Sequence, residues 1–208
     1  MKILDISWPI SEQMTQYKNR EEVAFDPIKT FDVDRVRLTR ITMDSHVGTH
    51  VEAPAHFIQD GASIDKIELS NCCGRCTVID MTSVGDCITD EHLQLVHIEP
   101  QSIILFKTTN SELQHDAPFD PKFVYLAATG AAYLAEKKVK AVGIDYVGIE
   151  RDQERHATHM TLLKQNIAII EGLRLAHVHA GNYFFVCLPL ACVGIEASTA
   201  RAVLFESF

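Results

Sequence analysis

From Asp44 to Phe57 the chain reads Asp-Ser-His-Val-Gly-Thr-His-Val-Glu-Ala-Pro-Ala-His-Phe, and no regular helix can be built on it. Gly48 and Pro54 break a helical run. Val47, Thr49 and Val51 are β-branched and crowd the preceding helical turn. An extended chain serves better. At a strand's period of two, His50, Glu52 and His56 point to one side. Gly48 permits the tight turn that returns His46 beside His50. The segment then presents three imidazoles and one carboxylate on one face. Neutral imidazole with carboxylate suits Zn²⁺ or Mn²⁺; the other reading of the pattern is a polar surface strand.

The rest of the chain must build a frame for that segment. Its 208 residues suffice for one domain, 1–208, with a core that needs no disulfides. Hydrophobic residues are 47% and charged residues 23%, the balance of a globular protein rather than a disordered or fibrous one. The net charge of −9, with no Lys/Arg cluster, argues against a nucleic-acid partner and against attraction to anionic membranes. No apolar run reaches the roughly eighteen residues of a membrane span. Asp5 interrupts the apolar opening, so no secretory signal is expected. Six cysteines are then expected as reduced thiols in the cytoplasm. The stretch Cys72-Cys73-Gly74-Arg75-Cys76 contains a Cys-x-x-Cys, Cys73 to Cys76, but no second ligand pair follows, so buried core thiols are expected rather than a zinc or redox site.

Apolar runs predict strands over Lys2–Ser7, Cys76–Met81, Ser102–Lys107, Ala141–Asp145, Phe184–Leu188 and Ala202–Phe205. Val36 and Leu38 alternate as in a half-buried strand, with Ile41 and Met43 of opposite parity and a bulge near Arg40. Ser11–Pro27 reads as a loop or arm. Thr89 can cap a short helix from Asp90, and Ala131–Lys138 is rich in helix formers. Helix followed closely by strand indicates an α/β domain.

Further along, the charge run Glu150–Arg155 reads as a solvated loop, followed by His156 and His159. Glu171 is different. It sits in the apolar run Thr161–Leu173, where an unpaired carboxylate would cost several kcal/mol, so it needs Arg174, a hydrogen bond or a metal. Trp8, Tyr17, Phe57 and Tyr146 are candidates for an aromatic pocket wall, with core packing the alternative for each. His177 and His179 are expected at the surface.

The segment Ser45–His56 resembles the signature of the cyclase family of metal-dependent hydrolases, to which bacterial kynurenine formamidase and isatin hydrolase belong. That pattern, His-x-Gly-Thr-His-x-Asp-x-Pro-x-His, is matched at His46, Gly48, Thr49, His50, Pro54 and His56, with Glu52 where the pattern has Asp. Leu4–Ser7, Val142–Asp145, His159–Leu173 and the closing segment through Leu204 resemble the family too. The resemblance implies a compact swivelling β/β/α fold with a mixed sheet and few helices. It implies that His46, His50 and Glu52 bind one divalent metal ion, zinc or manganese. Glu52 with His159 and Glu171 would bind a second, when two are present. His56 would be the acid/base histidine. It further implies hydrolysis of a carbon–nitrogen bond in a small amide, with an N-formyl arylamine foremost. A cyclic amide, a dehydrating cyclase activity or a non-catalytic metal protein are the alternatives. A homodimer or homotetramer is implied, in which the arm 11–27 can cover a neighbour's site.

Overall fold

The computed structural model describes residues 2–206. Its strands are β1 (Lys2–Asp5), β2 (Ala24–Lys29), β3 (Leu38–Thr42), β4 (His50–Glu52), β5 (Cys73–Asp80), β6 (Cys87–Ile88) and β7 (Ile103–Lys107). Then follow β8 (Tyr125–Leu126), β9 (Ala141–Ile144), β10 (Ala168–Glu171), β11 (Gly181–Val186), β12 (Ala197–Thr199) and β13 (Val203–Glu206). Four helices accompany them: α1 (Phe31–Asp34), α2 (Asp90–Gln94), α3 (Ala128–Glu136) and α4 (Ala157–Lys164).

Among the described residues, nine strands form one mixed sheet in the order β1-β13-β11-β5-β7-β9-β10-β4-β12. Its centre is parallel, β5 to β7 to β9 to β10, and both flanks are antiparallel. Parallel strands are covered on both faces, which is why β7 reads as the unbroken apolar run Ile103-Ile104-Leu105-Phe106. The three parallel crossovers carry α2, α3 and α4 to one face. There Leu93, Leu134, Leu162 and Leu163 pack on Ile104, Val142 and Ile169. On the other face, Val51 of β4 and Leu204 of β13 share a single core with Val78, Leu105, Ile170 and Phe185. Strands near opposite ends of the sheet order meet there because the sheet curls over that core.

The expected strands and helices are present, with ends shifted by a few residues. The run Thr161–Leu173 resolves into the end of α4 and then β10, separated by Asn166 at φ +55°. Cys72 and Cys76 are buried free thiols that burial pushes up to about 12, as expected of core cysteines, whereas Cys73 is a free thiol only half-buried. Three expectations are corrected. The segment around Val36 and Leu38 is exposed rather than half-buried, because β2 and β3 form a separate hairpin that joins no other strand among the described residues. Its irregularity lies on β2 between Pro27 and Lys29, not at Arg40. The Asp44–Phe57 segment is extended only over β4, and Pro54–His56 is a turn of 3₁₀ helix. No helix among the described residues is long and apolar enough to cross a membrane.

Candidate metal centre

Strand β4 is buried along its length and paired on both sides, to β10 and β12. Its register with β10 sets Glu171 directly opposite His50, and Ile169 opposite Glu52. Directly opposed residues share a face, so pairing alone brings Glu171 to the histidine. Two glycines allow the backbones to close around this point. Gly48 has φ +65°, and a Cβ there would press on Ile10 Cγ1 at 3.1 Å. Gly172 has φ +69°, and a Cβ would fall onto the Gly48 carbonyl. Thr49 ties the approach together: its hydroxyl donates to Gly172 O at 2.5 Å and accepts from Trp8 N–H at 2.7 Å.

Around Glu52 the imidazoles converge. His50 Nδ1 lies 2.9 Å from the Gly48 carbonyl, which can only accept, so that nitrogen carries its proton outward. Its Nε2 therefore faces inward, 3.6 Å from Glu52 Oε1 and 3.4 Å from Glu171 Oε2. His46 Nδ1 is 3.2 Å from Glu52 Oε1. His159, on α4, places Nε2 at 3.4 Å from Glu52 Oε2 and 3.5 Å from Glu171 Oε1. His56, delivered by the 3₁₀ turn, places Nε2 at 3.8 Å from Glu52 Oε1. All six residues singled out in the sequence, His46, His50, Glu52, His56, His159 and Glu171, thus meet at one centre. Two sets of donor atoms, one from His46, Glu52 and His56 and one from His50, Glu52 and Glu171, each lie within 4.8 Å of one another. Glu52 belongs to both.

The carboxylates and imidazoles of this centre shift one another's titration. Burial by itself raises the pKa of Glu52, yet the adjoining His159, His46 and His50 hold it well below the usual carboxylate range. Glu171 is likewise raised by burial and by Glu52, but hydrogen bonds to His159 and His50 bring it down to about 2. In return, His50 overcomes its burial through Glu171 and Glu52 and is raised to about 10. Glu52 Oε2 and His46 Nε2 are buried without a hydrogen-bond partner. Unpaired buried donor atoms of imidazole and carboxylate type fit a divalent ion. His56 differs: burial and the neighbouring His46 and His159 lower its pKa, so it is neutral near pH 7.

A cavity of about 580 Å³ opens onto the centre. Tyr17 and Phe57 line it, and so do Asp44 and the segment Thr15–Gln16 of the same chain's arm. Trp8 and Tyr146 do not; they belong to a separate buried cluster with Phe123, and the Tyr146 hydroxyl accepts from Asp120 N–H at 2.6 Å. His177 and His179 are exposed, as expected. Arg174 is not the partner of Glu171. It reaches the carbonyls of Ser111 and Leu113 and lies over the Trp8 ring.

Two carboxylates escaped the sequence reading. Glu196 lies 3.3 Å from His46 Nε2 and accepts from Ser45 Oγ at 2.5 Å; nothing in its sequence neighbourhood marks it. Glu150, taken as the start of a solvated charge run, is 7% exposed and contacts His156 and His159. The apolar residues Val147 and Ile149 before it were the available signal, the same one that singled out Glu171.

The Cyclase family model matches residues 4–151. A kynurenine formamidase of Erythrobacter litoralis is 32% identical over 209 residues, covering 99% of this chain and 94% of that protein. The solved structure of a predicted metal-dependent hydrolase from Bacillus stearothermophilus is 42% identical with a TM-score of 0.89, covering 99% of this chain and 98% of that one. Isatin hydrolase A of Ralstonia solanacearum shares the fold, with a TM-score of 0.82 at 19% identity over 98% of this chain and 91% of that one.

Proposed function

The chain belongs to the cyclase family, and from that premise we propose that it is a metal-dependent hydrolase of carbon–nitrogen bonds in small amides, with an N-formyl arylamine such as N-formylkynurenine as substrate. One observation carries the reading. Two sets of metal-type donors share the buried Glu52 at the floor of a cavity, and a neutral imidazole, His56, stands beside them. The name of the 32% identical relative supports the formamide substrate.

In this reading His46, His50, Glu52, His159 and Glu171 hold one or two divalent ions, zinc foremost and manganese the alternative. A bound divalent ion supplies Lewis acidity toward water and toward the carbonyl oxygen of the substrate. The chain does the remaining work. His56 takes the proton of the attacking water and returns it to the leaving nitrogen, the role suited to an imidazole that is neutral near pH 7. The products of a formamide are then an amine and formate. Tyr17 and Phe57 offer aromatic surface to an aryl group.

A homodimer or homotetramer in the cytoplasm is part of the proposal. The β2–β3 hairpin stands apart from the main sheet, and a two-stranded ribbon alone is marginal in water. It exposes Phe25, Ile28, Phe31, Val33, Leu38 and Ile41, an apolar surface that a second copy of the chain would cover.

Hydrolysis of N-formylkynurenine by the purified protein tests the reading, before and after chelation and with zinc and manganese restored in turn. Chelator-sensitive turnover with kcat/KM above about 10⁴ M⁻¹s⁻¹ is expected. Metal-loaded protein without turnover would overturn the formamide substrate and direct the search to cyclic amides.

A further inference from the structure

The loop that follows β9 contains a buried carboxylate, Glu150, to which the proposed chemistry gives no task. Glu150 is buried and meets Nδ1 of His159, the ring nitrogen opposite the one that approaches Glu52 and Glu171. Its Oε2 accepts the backbone N–H of His159 at 3.1 Å and lies 3.0 Å from His159 Nδ1. The ring nitrogen is off the line of a full hydrogen bond, and the backbone N–H shares the same oxygen. Glu150 Oε1 is held from outside by His156 Nδ1 at 2.7 Å. Phe57 packs on both imidazoles, each ring centroid 4.6 Å from its own.

Local backbone geometry shows that this arrangement is imposed. Arg155 and His156 are consecutive non-glycine residues at φ +55° and +52°, a left-handed conformation that L residues rarely hold. The two bends return His156 to Glu150 and start α4 so that His159 lies over the same carboxylate. The loop also steadies a second residue of the centre: Ile149 N–H donates to Glu171 Oε1 at 2.6 Å. Tyr146 O accepts from Gly172 N–H at 2.7 Å, fixing the backbone just after that glutamate.

We propose that Glu150, clamped by His156, is a positioning residue that fixes the ring of His159 so that Nε2 faces the metal. This rests on the metal-centre reading above. The physical reason is that an imidazole has two equivalent ways to present a nitrogen. A carboxylate behind one nitrogen selects the tautomer and raises the basicity of the other. Glu150 stands behind His159 Nδ1 at 3.0 Å, the place that the Gly48 carbonyl takes behind His50 Nδ1 at 2.9 Å.

The test is Co²⁺ and Zn²⁺ affinity, by competition with a chromophoric chelator, together with the visible absorption of the Co²⁺-loaded protein. No substrate is involved, so the result is independent of the formamide assignment. Glu150→Ala is expected to bind about 10- to 100-fold more weakly, with altered Co²⁺ bands. Glu150→Gln keeps the shape and one acceptor oxygen and is expected to fall between. His156→Ala removes only the outer, largely exposed clamp. It is expected to weaken binding about three- to tenfold while the metal-free melting temperature stays that of the parent. Unchanged affinity and Co²⁺ spectrum in His156→Ala and Glu150→Gln would overturn the positioning role. A parent protein that takes up neither ion would instead overturn the metal centre itself, and this proposal with it.

Discussion

Glu52 approaches every imidazole of the centre. His46, His50, His56 and His159 all lie within 3.8 Å of its oxygens. His56 is half-buried, as His46 is, and burial lowers its pKa. Replacing His56 with Ala is predicted to cut kcat by about 10²- to 10⁴-fold while bound metal is retained. Metal content measured on the variant checks this, since loss of the ion would make His56 a ligand instead. The buried groups also predict opposite pH trends for the two forms of the protein. Without metal, His50 and His159 are raised above 6.5, so their stabilisation is complete below that pH and is lost as pH rises toward about 10. Glu52 and Glu171 are lowered from 4.5, so theirs is complete above that pH and is lost as pH falls through the lowered values. Melting of the metal-free protein should therefore be highest between pH 4.5 and 6.5 and decline by pH 9. Metal affinity should rise over that upper range, because the ion must displace the imidazole protons. Calorimetry at pH 6 and pH 9, with and without zinc, measures both trends.

At the scale of elements, the metal-type residues were legible because their spacing is local. His46, His50, Glu52 and His56 lie within one segment, and Glu171 betrays itself as a carboxylate among apolar neighbours. Extended geometry was expected throughout that segment, but Pro54 starts a 3₁₀ turn, so His56 arrives by a bend rather than by strand parity. Glu196 was not legible, because its approach to His46 depends on β12 pairing with β4 across more than a hundred residues. The hairpin was misjudged for a related reason. Apolar alternation signals a surface to be covered but does not say by which molecule, and here the main sheet does not cover it. Val33 is 82% exposed and Ile41 58% exposed. Changing both to Asp is predicted to shift the protein to a monomer in light scattering without unfolding it. An unchanged mass would remove the hairpin from the interface.

Across the whole molecule, the curl of the sheet is what joins distant segments into one centre. The chain after β1, the start of β4 and the end of β10 are stitched by Trp8, Thr49 and Gly172. Gly172→Ala is predicted to destabilise the fold by about 1–3 kcal/mol or more, because a side chain there meets the Gly48 carbonyl at a positive φ. Denaturant unfolding gives the value, and a neutral substitution would mean that the backbones do not approach so closely. The mixed α/β fold could be anticipated from the order of apolar runs, whereas the curl could not. It arises from cross-sheet packing of residues such as Val51 and Leu204, which no local pattern encodes. The central claim is that Glu52 organises a divalent metal centre with His46, His50, His159 and Glu171. Elemental analysis of the protein dialysed against zinc, beside an isosteric Glu52→Gln variant of confirmed fold, tests it most directly. The account predicts one or two equivalents per chain in the parent and a loss of bound metal in the variant. Equal metal content in both, or none in the parent, would contradict it.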